Sequence, residues 1–142
     1  MTQSQIPCYA YTVRHASRHL SQFYEGIIGA SGLHAQQFTI LAIIQRGGPL
    51  SLTALAEVLA MDRTTLTRSL QPIERDGYIA ICTEATDKRS KLISITASGS
   101  AKLEEARVLW RQAQASFEER FGAERAAFLR AELRAAAQAV SA

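Results

Sequence analysis

The chain has 142 residues, 47% of them hydrophobic and 20% charged, and its formal net charge is +3. This length suits one domain or a small two-lobed unit with a hydrophobic core. No apolar run is long enough to cross a membrane, and the N-terminus lacks the basic start and apolar core of a signal peptide. The two cysteines follow no pairing pattern, which fits a reducing compartment. We therefore expect a cytoplasmic protein without a membrane segment.

The charges are spread evenly along the chain, so the net charge identifies no partner. Residues 61–96, for example, hold six basic and five acidic side chains. Placement is more informative, because Arg63 and Arg68 come early in one predicted helix while Glu74 and Asp76 come at its far end. The first half of that helix is therefore its basic half.

The first predicted element is a long helix over about residues 8–29. Its apolar residues recur at alternating intervals of four and three, which places them in one stripe along the helix. The stripe consists of Tyr9, Val13, Ala16, Leu20, Phe23 and Ile27. A stripe of this length requires partner helices for its burial.

A second helix is predicted between Leu33 and Arg46, with Phe38, Leu41 and Ile44 facing inward. The segment Gly47-Gly48-Pro49 then interrupts the helical pattern. We expect this helix to connect the first helix to the pair of short helices that follows.

Two short helices joined by a tight corner are predicted next. Ser51 suits the N-cap of the first, whose apolar spacing ends near Ala60. Asp62 suits the N-cap of the second, and its negative charge complements the positive end of that helix. The inner stripe of the second helix is Leu66, Leu70 and Ile73. Two helices this close in sequence form a helix-turn-helix.

The outer face of the second short helix carries hydroxyl, amide and guanidinium groups. Such groups pair with phosphates and with base edges in the major groove of DNA, whereas an ordinary solvated face more often carries Glu and Lys. Pro72 removes one helical hydrogen bond, so we expect a bend beyond the half that enters the groove. The residues predicted to contact DNA are Arg63, Thr64, Thr65, Thr67, Arg68 and Gln71.

A β-hairpin with a basic tip is predicted after Gly77, which suits a left-handed helix stop. Two β-prone runs, residues 78–84 and 92–96, flank the tip. A hairpin in this position is a wing, and a basic side chain at its tip is predicted to enter the minor groove, where a narrow groove attracts Arg. The wing residues predicted to contact DNA are Lys88, Arg89 and Lys91, with Asp87 orienting the Arg89 guanidinium.

Two further helices are predicted at the end of the chain, from residue 97 to about Gly122 and from Ala123 to Val140. Both carry apolar residues at helical spacing, and they leave more apolar surface than a small winged domain covers. The residues predicted to contact partner helices, from both ends of the chain, are Tyr9, Val13, Leu20, Trp110, Phe117 and Leu133. They form a dimer interface if those partner helices belong to a second copy of the chain.

Three stretches of the sequence resemble the MarR family of bacterial winged-helix transcriptional regulators. They are Met-Asp-Arg-Thr-Thr-Leu-Thr-Arg at 61–68, Ile-Glu-Arg-Asp-Gly-Tyr-Ile at 73–79, and Asp87-x-Arg89 followed by Ile95-Thr96-x-x-Gly99. The resemblance covers about residues 5–140. It implies a mainly α fold with a small β-hairpin wing (α+β). The winged helix-turn-helix lobe would span about 33–96, and the dimerisation helices about 8–29 and 97–140.

The same resemblance implies a function. The protein would be a homodimeric repressor of an inverted-repeat operator in double-stranded DNA, released when a small ligand or an oxidant alters the dimer. We expect no enzyme and no cofactor, because the sequence has no glycine-rich phosphate loop, nucleophile elbow or clustered carboxylate pair. A winged helix that contacts protein instead of DNA is an alternative, which the polar outer face of the second short helix disfavours.

The first helix also holds the groups predicted to bind an effector. Aromatic rings and cations together suit a small aromatic acid or phenol. The residues predicted for this pocket are Tyr11, Arg14, His15 and Arg18 of the first helix, with Phe38 of the second. Each of them could equally serve packing or an interface.

Cysteine and histidine residues suggest further regulation. One branch of the family senses peroxide through a cysteine at the position of Cys8, but with tyrosines from the second helix, where this chain has Gln36, Gln37 and Phe38. Redox sensing through Cys8 is therefore the alternative to ligand sensing. His15 and His19 have the spacing of metal ligands, yet two histidines do not complete a tetrahedral zinc site, so no metal site is predicted. Cys82 is expected to be a small core or margin residue.

Overall fold

The structure is a computed structural model that describes residues 5–83, 86 and 90–141. Within them the helices are α1 (Tyr9–Ile28), α2 (Ala35–Gly47), α3 (Leu52–Leu59), α4 (Arg63–Arg75), α5 (Ala97–Phe121) and α6 (Ala123–Val140). The strands are β1 (Leu50–Ser51), β2 (Ile79–Thr83) and β3 (Lys91–Ile95), in an antiparallel sheet of order β1-β3-β2. The predicted fold class, mainly α with a small hairpin wing, is confirmed.

One hydrophobic core joins the helices to the sheet, and α2 lies within it. Phe38, Leu41 and Ile44 of α2 are buried, as predicted, together with Ile40. They pack with buried residues from α3 through α5, namely Leu55, Ala56, Leu66, Leu70, Ile73, Ile79, Ile93, Leu103 and Ala106. Because α2 contacts both the long helices and the sheet, it joins these two parts of the protein within one core.

Strand β1 is the element that the sequence patterns did not reveal. Leu50 pairs with Ile93, and Ser51 pairs with Leu92. The chain enters this strand through Gly48, whose φ of 72° is in the left-handed region that glycine tolerates. A run of two residues has no periodicity, so its strand conformation is set by pairing with β3.

Polar contacts hold the junction between α1 and α2. One oxygen of the Glu25 carboxylate accepts a hydrogen bond from the Ala35 backbone N–H at 2.7 Å. The other lies 2.6 Å from Nδ1 of His34, the N-cap residue of α2. Burial alone would raise the pKa of Glu25, but the Ala35 N–H and the His34 side chain outweigh it and lower the pKa below its ordinary value.

We expect Glu25→Gln to lower the free energy of unfolding at pH 7 by about 1 kcal/mol, because a charged acceptor is lost at a partly exposed site. Since folding lowers the pKa of Glu25, its contribution is fully present above the unfolded pKa and is lost as the pH falls through the folded pKa. Urea unfolding at pH 7 and near pH 3 gives the free energy of unfolding of Glu25→Gln and of the unaltered protein. The difference between these two free energies should be smaller near pH 3 than at pH 7. A difference of equal size at both pH values would contradict this role of Glu25.

None of the described helices is, by itself, both long enough and apolar enough to span a membrane. The pair Tyr9–Ser31 and Ala35–Gly47, which meets at a bend of 76°, passes the same length and composition test only when its two parts are combined.

Candidate nucleic-acid interface

The corner between α3 and α4 is as tight as predicted. Ser51 caps α3 by accepting a hydrogen bond from the Ala54 N–H at 3.1 Å. The chain turns at Ala60, whose φ of 52° lies in the left-handed region, and the Met61 N–H donates to the Ala56 carbonyl at 3.0 Å. An alanine is an unusual residue at such a position, where glycine or asparagine is preferred. The sequence patterns gave no sign of this backbone conformation.

Asp62 caps the N-terminus of α4, as predicted. One carboxylate oxygen accepts from the Thr65 backbone N–H at 2.8 Å, and the other accepts from the Thr65 hydroxyl at 2.7 Å. The Thr65 hydroxyl, followed by the Thr65 N–H, lowers the pKa of Asp62. The carboxylate therefore stays ionised at neutral pH, where its charge complements the positive end of the helix.

The inner and outer faces of α4 separate as predicted. Leu66, Leu70 and Ile73 are buried against the core. The residues predicted to contact DNA are all exposed, namely Arg63, Thr64, Thr65, Thr67, Arg68 and Gln71. The structure thus brings them together on the surface of one helix, although their contact with DNA remains a prediction.

The hydroxyl groups of α4 are less available than the sequence suggested. The Thr65 hydroxyl donates to Asp62, and the Thr67 hydroxyl donates to the backbone carbonyl of Arg63 at 2.8 Å. The Ser69 hydroxyl donates to the Thr65 carbonyl at 3.1 Å. These bonds form because a Ser or Thr side chain in a helix can reach the carbonyl four residues earlier.

The end of α4 lies beyond Pro72. The helix runs through Pro72 to Arg75, so the proline does not terminate it. Gly77 follows with a φ of 80°, as predicted for a left-handed stop, and its N–H donates to the Glu74 carbonyl at 2.9 Å. The Tyr78 N–H donates to the Ile73 carbonyl at 3.0 Å, and this closing turn leads directly into β2.

The strands of the predicted wing pair in antiparallel register, from Ile79 opposite Ile95 to Thr83 opposite Lys91. Lys91 is exposed at the outer end of β3. The other predicted wing residues, Asp87, Lys88 and Arg89, lie outside the described residues. Cys82 is exposed on β2, which corrects the expectation that it belongs to the core or its margin.

A groove of about 1080 Å³ lies between α1, α2 and the C-terminal helices. The rings of Phe38 and Trp110 stack beside it with centroids 5.9 Å apart. Trp110, predicted for the dimer interface, thereby packs against the core of its own chain. Of the predicted pocket residues only Phe38 lines this groove, alongside α1 residues that include Thr12, Ala16, Ser17, Leu20 and Tyr24.

The predicted pocket residues of α1 lie away from the groove. Tyr11, Arg14, His15 and Arg18 are absent from its lining, because each residue turns a helix by about 100° and these positions face a different side. The Tyr11 and His15 rings are 6.0 Å apart, and the His15 and His19 rings are 4.6 Å apart. These rings therefore lie next to one another along α1, in tilted orientations, and do not converge with Phe38.

The other residues considered for regulation are one cysteine, Cys8, and one pair of histidines, His15 and His19. Cys8 is exposed immediately before α1. Across residues 5–83, 86 and 90–141, no three His, Cys, Asp or Glu side chains group as potential metal ligands. His15 and His19 thus have no third such neighbour within the described chain.

Comparisons with known proteins identify the family. A sequence profile of the MarR family matches residues 31–90. The structure of the M. tuberculosis transcriptional regulator MosR in complex with DNA is 38% identical, with a TM-score of 0.81, over 95% of this chain and 99% of that one. This chain belongs to the MarR family. Membership in the MarR family confirms the resemblance carried by the three sequence stretches.

Two further relatives of the MarR-family chain match over shorter lengths. The transcriptional activatory protein BadR of Rhodopseudomonas palustris is 35% identical over 75 residues, which are 51% of this chain and 43% of BadR. The organic hydroperoxide resistance transcriptional regulator of Bacillus subtilis is 29% identical over 91 residues, which are 64% of this chain and 62% of that protein. The matched regions thus span about half the length of these relatives.

Proposed function

We propose that this MarR-family protein is a transcriptional regulator that binds double-stranded DNA through α4 and the wing. The outer face of α4 carries the proposal, because its six exposed side chains bear hydroxyl, amide or guanidinium groups and follow a capped, tight corner. M. tuberculosis MosR, which aligns over 95% of this chain, has been crystallised with DNA. The shared fold and the 38% identity support DNA binding by this chain.

We further propose that the protein acts as a homodimer. Apolar side chains stand exposed at both ends of the single chain, with Tyr9 93% exposed and Val13 48% exposed in α1. In α6, Phe128, Leu133 and Val140 are exposed, and no residue of the helix is buried. A second copy would cover these helices, together with the half-buried Leu20 and Phe117. Two-fold symmetry would then present two α4 helices to an inverted repeat.

A small aromatic ligand is the regulator that we propose. The groove between α1 and α2 falls near the upper end of the usual volume of ligand pockets, about 300 to 1,000 Å³, and it holds the Phe38–Trp110 stack. Glu25, which lines this groove, also binds the N-terminus of α2. A ligand in the groove would therefore displace α1 relative to α2, whose buried side chains share one hydrophobic core with those of α3 and α4.

Repression is the direction of regulation that the family resemblance implies. The R. palustris relative, by contrast, is named an activatory protein. Transcription from a promoter that carries the operator, measured with and without the protein, decides between the two directions. Reduced transcription supports a repressor, and increased transcription overturns that part of the proposal.

Selection of DNA from a random pool by the purified protein is the experiment that tests DNA binding. We expect an enriched inverted repeat with half-sites about one helical turn apart. Affinity should fall steeply between about 50 and 200 mM salt, because phosphate contacts release counterions. Sedimentation of the complex should give a protein mass of two 15.5 kDa chains. Absence of any enriched sequence would overturn the proposal and favour a winged helix that contacts protein.

Salicylate at millimolar concentration should weaken operator binding if the groove receives aromatic acids. Ser17 lines the groove, whereas Arg18 belongs to the other side of α1. We expect Ser17→Phe, which places a ring in the groove, to abolish the response to salicylate, and Arg18→Ala to leave it intact. If instead Arg18→Ala abolishes the response and Ser17→Phe leaves it intact, the ligand binds at Tyr11, Arg14, His15 and Arg18, as the sequence alone suggested. Operator titrations with fluorescent DNA measure both variants.

Redox sensing through Cys8 remains the alternative mode of regulation. Its thiol is exposed, and the B. subtilis relative is named for organic hydroperoxide resistance. Operator binding after treatment with cumene hydroperoxide, compared between the unaltered protein and Cys8→Ser, tests it. Loss of binding only in the protein that retains Cys8 would favour this mode over ligand sensing.

A further inference from the structure

The hydroxyl of Thr67 is already committed within α4. Its single proton is donated to the Arg63 carbonyl at 2.8 Å. Donation to a base or phosphate would require that bond to be broken first. The side chain of Thr67 is nevertheless exposed, so without rearrangement it can offer a partner its hydroxyl oxygen as an acceptor or its γ-methyl group as an apolar contact.

The surroundings of Thr67 place it on the side of α4 that faces the wing. Thr67 and Gln71 line a cleft of about 430 Å³ between α4 and the strands β2 and β3. Buried Leu70 and Ile93 also line this cleft, and exposed Lys91 belongs to the same lining. Thr67 is also the fifth residue of α4, and the N-terminal residues of the second helix of a helix-turn-helix are the ones that contact base edges. An exposed γ-methyl group at this position would reach base edges if α4 enters the major groove as proposed.

We infer that Thr67 recognises a thymine through contact between its γ-methyl group and the C5-methyl group of the base. Thymine is the base that presents a methyl group in the major groove, and the threonine methyl is one of the apolar groups that contact it. The inference rests on the proposed DNA binding and makes Thr67 a determinant of sequence specificity. Arg63 would hold the helix on the DNA, and Thr67 would discriminate among bases at a position other than the one read by Arg68.

Replacement of single thymines in the selected operator by deoxyuridine tests this inference. The replacement removes only the C5-methyl group and preserves base pairing. We expect one position in each half-site at which deoxyuridine weakens binding by about fourfold, the effect of one buried methyl group. Thr67→Val keeps a γ-methyl group and the β-branch but removes the hydroxyl, so it should retain the penalty. Thr67→Ser keeps the hydroxyl and removes the methyl group, so it should bind both operators equally.

Thr39→Ser is the matched control, because the Thr39 hydroxyl also donates to a carbonyl four residues earlier, that of Ala35 at 3.2 Å, but on α2, outside the proposed DNA interface. It should show the same deoxyuridine penalty as the unaltered protein, and thermal unfolding should show that all three variants fold. The inference is overturned if no thymine shows a penalty, if Thr67→Ser keeps it, or if Thr67→Val loses it. Each of these results presupposes a selected operator, so it leaves DNA binding itself established, whereas failure to select any operator would defeat the proposed function.

Discussion

Arg68→Ala is expected to weaken operator binding by about 1 to 3 kcal/mol if Arg68 forms a bidentate pair with a guanine edge. Arg68 is exposed one turn after Thr64, on the half of α4 that precedes Pro72. Loss of a base contact should also relax the sequence preference at one operator position. Titration of the selected operator and of its single-base variants measures both effects.

Arg75→Ala is the matched control for Arg68→Ala. It removes the same charge from the same helix, but from its last turn, beyond Pro72. We expect a loss of about twofold or less for Arg75→Ala, of the size of a screened, nonspecific electrostatic effect. Equal losses for the two variants, with an unchanged base preference, would show that Arg68 contributes only charge. Titrations at two salt concentrations separate these cases, because a lost phosphate contact reduces the salt dependence.

The helix-turn-helix was predictable because local chemistry determines it. Ser51 and Asp62 cap their helices through hydrogen bonds to residues three positions later, and such caps are visible in a single sequence. The buried stripe of α4 follows the helical period for the same reason. The direction of each exposed α4 side chain could therefore be inferred without any tertiary contact.

The features that the sequence did not reveal depend on distant parts of the chain. Strand β1 exists through pairing with β3, some forty residues later. The sequence also did not show which side of α1 meets α2, and the structure brings Ser17 and Leu20 to the groove between them, whereas Arg14 and Arg18 do not line it. Periodicity groups residues on a face, but it does not say which neighbour covers that face.

Gly99 belongs to the Thr-x-x-Gly stretch at 96–99 and also contacts a distant part of the fold, so its replacement should strongly destabilise the protein. In sequence, the Thr-x-x-Gly stretch at 96–99 is one of the segments that resemble the MarR family. In the structure the Thr96 hydroxyl caps α5 by accepting from the Gly99 N–H at 3.0 Å and donates to the Gly77 carbonyl at 2.6 Å. A Cβ on Gly99 would lie 2.0 Å from the Tyr78 carbonyl oxygen, which accepts from the Thr96 N–H. Glycine is therefore required for the close approach of α5 to the start of β2.

We expect Gly99→Ala to lower the free energy of unfolding by about 3 kcal/mol or more, because the obstacle is backbone and cannot rotate away. Gly26→Ala is the matched control, since Gly26 lies in α1 with no atom within 4 Å of an added Cβ. That change should stabilise the protein by about 0.5 to 1 kcal/mol, as alanine is favoured over glycine within helices. Urea unfolding of both variants measures whether each change raises or lowers the free energy of unfolding. Equal stabilisation by both would mean that α5 does not approach β2 this closely, and that the packing of the wing against α5 has another cause.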